Sequence, residues 1–253
     1  MLSTTRTHGR RRWLISVGLS LLALAALAVP TTVGAAGSTT YRDCSRLTFA
    51  PGAAMHRCQL PDSTIIGLDL HGISLAWSDM SRVNAGCDPD EPRTNLAGAR
   101  LARAIFVDGL LCDAILTDAD IHGSDLTNAA LEDASLDRAN LSWAILDGAG
   151  AGFAPFLDAN LSNARWLAGS ATGAIFDGAD MHRIDLRGTS VRSASFVGTD
   201  LRYARLDGVD FSDADLTGAD WRRATGLGSA IFANTTCPDG TNSDTNGGTC
   251  VGH

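Results

Sequence analysis

The sequence predicts an all-β solenoid wound in coils of twenty residues, and two observations carry that expectation. Counting in steps of five from Leu96 to Trp221 meets 26 positions, and every occupant is apolar. Two residues before each lies a small residue, which is Ala in 18 of the 26 cases. With 45% apolar residues in the chain, a run of that length arises by chance on the order of 10⁻⁹ of the time, so the period is real. A helix advances about 100° per residue and would smear a five-residue stripe around its whole surface, while a strand alternates every second residue. A stack in which two residues of five point inward and three face solvent explains the pattern. Four units of five then close one coil, and the next coil lies above it.

Length and composition are consistent with this. The 253 residues suffice for one large domain or two small ones, and only 6% are aromatic. All 20 basic residues are Arg, and only Glu91 and Glu132 among the 28 acids are Glu. The formal net charge of −8 argues against general nucleic-acid binding, which needs a basic footprint.

The elements follow in chain order. Residues 1–35 read as a signal peptide: Arg6, Arg10, Arg11 and Arg12, then an apolar run over 14–29, then the small residues Val33-Gly34-Ala35-Ala36. The run of 16 is short for a spanning helix. Arg10-Arg11-Arg12-Trp13-Leu14 also has the form of a twin-arginine signal, against the alternative of an ordinary basic leader. Cleavage near Ala35 takes the net charge from −8 to −12 and places the protein in the medium or the cell envelope, touching the membrane only in transit. Residues 36–62 are expected to cap the solenoid, and 63–84 to form a first irregular coil through Ile65, Leu70, Leu75 and Met80. The Pro, Asp and Gly content of 85–93 reads as an excursion loop. The β-helix runs over 94–232, with the register slipping by one after Trp221 so that Ile231-Phe232 closes the last coil. Residues 233–253 are expected to cap the far end, because an open solenoid end is an edge that invites polymerisation.

The slot between the small and the large residue is Asp or Asn in 11 of 26 units, as in Ala119-Asp120-Ile121 and Ala214-Asp215-Leu216. The resulting motif, Ala-(Asp/Asn)-Leu-x-x, resembles the pentapeptide-repeat family over residues 94–223. The resemblance implies a right-handed quadrilateral β-helix. Sorting the large positions by twenty puts Phe156, Phe176 and Phe196 in one vertical file, at a coil spacing of about 4.8 Å that aromatic rings accept. Leu111, Leu131, Ala151, Ala171, Val191 and Phe211 make the slim side.

Six cysteines all follow the leader, an even count that reads as disulfides in an exported chain. Proximity suggests Cys44–Cys58, Cys87–Cys112 and Cys237–Cys250, which staple the two ends and the excursion loop.

Candidate chemistry is sparse. No catalytic residue, cofactor or firm metal set is read from the sequence. His122 and His182 follow large residues on one face, about 14 Å apart, too far to share a metal. Gly148-Ala149-Gly150-Ala151-Gly152 has dinucleotide-loop spacing, but the five-residue register runs through it and no helix follows. Asn242, Asp244 and Asn246 resemble half a calcium loop, without the bidentate Glu; a turn-rich disulfide loop is the alternative. Two surface features are candidates for a partner. Trp143, Phe153, Leu157 and Leu167 are outward apolar residues within about two coils, either a contact patch or scattered exposure. His182, Arg183, Arg202, Tyr203, Arg222 and Arg223 stack as a basic edge, suited to an anionic polymer or a carboxylate surface, or simply balancing Asp180, Asp200 and Asp220.

Three function classes follow. The leading expectation is a secreted, non-enzymatic structural or binding module for an unknown protein or envelope component. The resemblance supplies a rival, since some members of the family bind DNA gyrase through an acidic rod-like surface; the leader and the cysteines oppose it. A cell-envelope hydrolase is the third, but Asp recurs through the repeat without acid–base specificity.

Overall fold

The computed structural model describes Tyr41, Cys44 and residues 47–252. The chain divides into Met1–Ser38 and Thr39–His253, and all described residues belong to the second unit. The expected signal peptide lies outside the described residues. Among them, no helix is long and apolar enough to cross a membrane.

The chain is a right-handed quadrilateral β-helix. Each five-residue unit makes one wall and one corner. The residue before the large position forms a parallel bridge with its equivalent in the next coil, twenty residues on, from Asn95↔Ile115 to Arg205↔Thr225; the step from Ser135 to Pro155, which has no N–H, is the exception. The large residue's own N–H donates upward, as Leu136 does to the Pro155 carbonyl at 2.8 Å. The corner is a β-turn closed by the small residue, for example Ala139 N–H to Leu136 O at 3.0 Å. Its third residue has positive φ, as at Arg138 (55°) and Gly148 (70°), the signature of a type II turn. Repetition of this turn every five residues is what bends the chain through a quarter circle per unit.

Every large side chain from Leu96 to Leu216 is buried, at 2% exposure or less. Trp221, at the end, is half-buried. Where the small slot is polar, its hydroxyl has a partner. Ser124 Oγ donates to the Leu101 carbonyl (2.7 Å), and Thr199 Oγ1 to that of Phe176 (2.7 Å). The expected aromatic file exists: Phe156–Phe176 and Phe176–Phe196 both stack at 4.9 Å with 21° between planes.

The Asp/Asn slot has a reason that the outward reading missed. It is only half-exposed along the repeat, and its side-chain oxygen accepts the backbone N–H two residues on. Asp125 takes that of Thr127 (3.0 Å) and Asn160 that of Ser162 (2.9 Å). These Asx turns fix the entry into each corner.

Two departures from the twenty-residue step both fall at corners. Between Asp69↔Asn95 and Asn84↔Leu110 the offset is 26, so the corner after Ala85 holds six extra residues. At Asp210↔Ile231 and Asp215↔Thr236 it is 21, and Phe232 then stacks on Phe211 at 5.6 Å. At the N-terminal end the ladder starts earlier than the boundary at residue 62 allows. Ala54 pairs with Ser74 and Gln59 with Asp79, because Met55 (1% exposed) and the half-buried Leu60 already occupy large positions. The coil over 63–84 is regular, displaced only in register.

Disulfides join Cys44–Cys58, Cys87–Cys112 and Cys237–Cys250. At the C-terminal end Thr236 bridges Asn242 antiparallel, turning the last strand residue back over the stack.

Candidate functional site

Bridge register assigns every outward residue to one of four corners, and the charges are unevenly shared among them. Over residues 95–223 the corner that follows Leu101 and its equivalents carries six Arg against four Asp. The corner after Phe106 carries three Arg against five acids. Those after Leu111 and Leu96 carry one Arg against five acids each. In a chain of net charge −8, the Leu101 corner alone among these four is net positive.

The basic edge His182, Arg183, Arg202, Tyr203, Arg222 and Arg223 lies entirely on this corner. It continues below as far as the first coils. The turn N–H groups climb one column: Arg57 to Ala76 O, Trp77 to Ala102 O, Arg103 to His122 O, and Trp143 to Ser162 O. The column then passes Asn163 and Arg183 to Tyr203, whose N–H reaches Arg222 O at 3.2 Å. Each of these residues, Arg223 included, has positive φ, between 57° and 63°. That conformation is uncommon for bulky side chains, yet three of the four aromatic residues that adopt it, Trp77, Trp143 and Tyr203, stand here; Phe153 is the fourth.

Arginine occurs here in two states. Arg202 grips Asp200 with a fork (Nε to Oδ1 2.9 Å, Nη2 to Oδ2 2.6 Å), and Arg222 grips Asp220 likewise (2.9 and 2.7 Å). These pairs fulfil the charge-balance reading. Arg183 and Arg223 do not. Their guanidinium carbons lie 5.6 and 5.3 Å from the Tyr203 ring centroid, and Arg223 Nη1 donates to the Tyr203 hydroxyl at 2.6 Å. Neither has an ion pair among the described residues. Arg103 caps Trp77 in the same manner, 4.6 Å from its centroid. His182 packs edge-on to Tyr203 at 5.2 Å, its Nδ1 buried without a hydrogen-bond partner. A cleft of about 210 Å³ opens between Arg202, Tyr203, Arg222 and Arg223.

The Arg202 fork holds the Asp200 carboxyl below the usual carboxylate range, and the Arg222 fork does the same for Asp220. A carboxyl with a depressed folded-state pKa stabilises the fold fully above its unfolded value, and that stabilisation is lost as pH falls through the folded one. The melting temperature is therefore expected to stay level from pH 8 to 5 and to drop below about pH 4. Asp200→Asn with Asp220→Asn should lower the plateau and flatten the acid limb. A melting curve series with an acid limb identical to wild type would show that the forks contribute nothing.

The other candidates fare differently. Trp143, Phe153, Leu157 and Leu167 make no patch: each stands on a different corner, since their units differ by quarter turns. Trp143 and Phe153 are 67% and 66% exposed, on opposite corners. Asn242, Asp244 and Asn246 direct their side chains to the tail itself. Asn242 caps the 3-10 turn Ser243–Asn246 by accepting from Asp244 N–H, Asp244 accepts from Asn234 N–H (2.9 Å), and Asn246 donates to Thr241 Oγ1 (2.6 Å). The half calcium loop is thus a capped turn. His122 Nδ1 lies 2.7 Å from Asp120 Oδ1 in its own unit. Among the described residues no His/Cys/Asp/Glu group is arranged to hold a metal.

A filled solenoid with its distinctive groups on one corner defines a repeat protein whose chemistry is on its surface. The chain belongs to the pentapeptide-repeat family: the pentapeptide-repeats model matches eight copies, over residues 94–133, 114–150, 156–192 and 194–225. Similar solved structures include HetL, a pentapeptide repeat protein involved in heterocyst differentiation regulation from the cyanobacterium Nostoc sp. Strain PCC 7120. It is 25% identical, with a TM-score of 0.46, covering 78% of this chain and 95% of that one. QnrB1, a plasmid-mediated fluoroquinolone resistance protein, is 17% identical with a TM-score of 0.32, covering 66% and 90%. Rfr23 from the cyanobacterium Cyanothece 51142 is 20% identical with a TM-score of 0.27, covering 54% and 85%. No curated protein matches the chain in sequence.

Proposed function

We propose that the protein is a non-enzymatic binding module that works outside the cytoplasm and presents a rigid surface to a partner. The packed interior carries this reading. With every large position from Leu96 to Leu216 buried, recognition is left to walls and corners. The three disulfides suit an oxidising compartment. The Asp ladder supports binding over hydrolysis, because its carboxylates serve Asx turns and Arg forks.

The acidic corners favour a second reading, an acidic mimic of DNA that binds a type II topoisomerase. Five acids against one Arg on each of two neighbouring corners is the kind of surface it needs. Location separates the two. Cell fractionation of the tagged native gene, followed by intact mass, is expected to find residues 36–253 less six protons, outside the cytoplasm. A full-length, reduced, cytoplasmic protein would overturn the proposal and bring the topoisomerase reading forward.

A further inference from the structure

We infer that the basic corner binds a linear anionic polysaccharide lying along the solenoid axis, its carboxylate or phosphate groups seated against Arg183 and Arg223. The inference rests on the binding-module reading and adds the class of ligand. Three features of the corner point to it.

Arg183 and Arg223 have no carboxylate partner among the described residues, and both guanidinium groups are held at Tyr203, which lies one coil above the first and one below the second. A guanidinium held against an aromatic ring loses less freedom on binding than a solvated one, and its planar fork matches carboxylate and phosphate oxygens. The adjoining cleft of about 210 Å³ has room for such a group. Tyr203 already holds both cations, so it positions the arginines and is not itself an open stacking platform. Trp143, three coils lower on the same column, is the open ring: it is 67% exposed, and no ring or guanidinium covers it among the described residues. It offers an apolar face to a sugar.

Spacing selects the polymer. Arg183 and Arg223 are two coils apart, about 10 Å. Each strand of a nucleic-acid duplex places a phosphate about every 3.4 Å of axis, about three times as often. Its surplus charges would meet Asp180, Asp200 and Asp220 beside the column and the net-negative corners beyond it. A single open ring also falls short of the successive platforms that single strands use. A glycan that carries one acidic group per disaccharide spaces its charges more widely and meets neither difficulty.

The test is affinity electrophoresis of the mature chain in gels containing hyaluronate, phosphomannan, dextran or poly(dT). Retardation by hyaluronate, phosphomannan or both, falling with added salt, supports the inference, and the two arms tell carboxylate from phosphate. Arg183→Asn with Arg223→Asn is expected to weaken that binding at least tenfold. Asn keeps the left-handed turn, as Asn163 does on the same column, so an unchanged melting curve accompanies the loss. Arg192→Gln, on the acidic Leu111 corner, should bind as wild type does. Failure of both anionic glycans, equal retardation by dextran or poly(dT), or full binding by the double variant would each overturn the inference. An exported protein that ignores every glycan overturns the ligand alone; a cytoplasmic one overturns the module reading.

Discussion

Leu136→Asp is expected to leave the chain without a cooperative thermal transition. Leu136 is fully buried in the middle of the stack, with Leu116 below and Phe156 above it on the same wall. The interior there is lined by Leu, Ala and the Phe156 ring, and no base faces the position. An ionised carboxylate would have to be buried unpaired, at a cost of several kcal/mol, or be protonated at a smaller but still unfavourable cost. Relocation is blocked as well, since turning this one residue outward would break its N–H bond to Pro155 and the corner closed by Ala139. Leu136→Ala should be milder, at about 2–5 kcal/mol, and still cooperative. Circular dichroism melts of the three proteins check this; a Leu136→Asp curve equal to that of wild type would refute the inward assignment.

Gly169→Ala is the second large effect, and its direction is opposite to intuition. Ala fills the small slot in most units, so on the repeat pattern the change is a return to type. The structure gives the contrary sign. Trp166 occupies the large position of that unit, fully buried, and its indole donates to the Ala149 carbonyl at 3.1 Å. A methyl on Gly169 would overlap Trp166 Nε1 and lie 2.6 Å from the Ala149 oxygen. Overpacking of this kind typically costs about 1–3 kcal/mol, with the indole hydrogen bond at risk in addition. The pair is coupled: Trp166→Leu alone leaves a cavity, while Trp166→Leu with Gly169→Ala removes the indole overlap and keeps only the close approach to the Ala149 carbonyl. The double variant should be more stable than the sum of the single changes predicts, by a margin that denaturant titration can resolve. Strict additivity would show that the indole does not define the space at Gly169.

Much of the fold was legible because the inward pair of residues repeats without a break from Leu96 to Trp221. The disulfide partners were legible because each pair is close in sequence and sits at an end or beside the excursion. Three things were not. The ladder's early start was hidden because Met55 and Leu60 follow Ala54 and Gln59, so the acidic slot that advertises a unit is missing. The choice between an apolar patch and scattered exposure stayed open because exposure is shared by all outward positions, while a corner is shared only by residues whose separation follows the coil. Trp143 belongs with Arg183 and Tyr203, not with Phe153. The lower half of the basic corner escaped for a related reason. Trp77 meets Arg103 only after the six extra residues at the excursion are discounted, and a bare step of twenty from Arg103 lands on Val83 instead. The Asx turns were legible in principle, from Asp or Asn recurring two residues before a turn.

The offsets of 26 and 21 carry a consequence for how such a chain changes length. The ladder resumes with its proper partner after six additional residues, and again after one, because both insertions fall where the chain rounds a corner. The stack therefore counts sides, not residues. A single residue added within a side would exchange inward for outward groups along that side, whereas a whole peptide grafted at a corner would leave every rung in place. Deletions and insertions are accordingly filtered by position rather than size, and the loop at 85–93 marks a place where new sequence can accumulate without the rest of the molecule registering it.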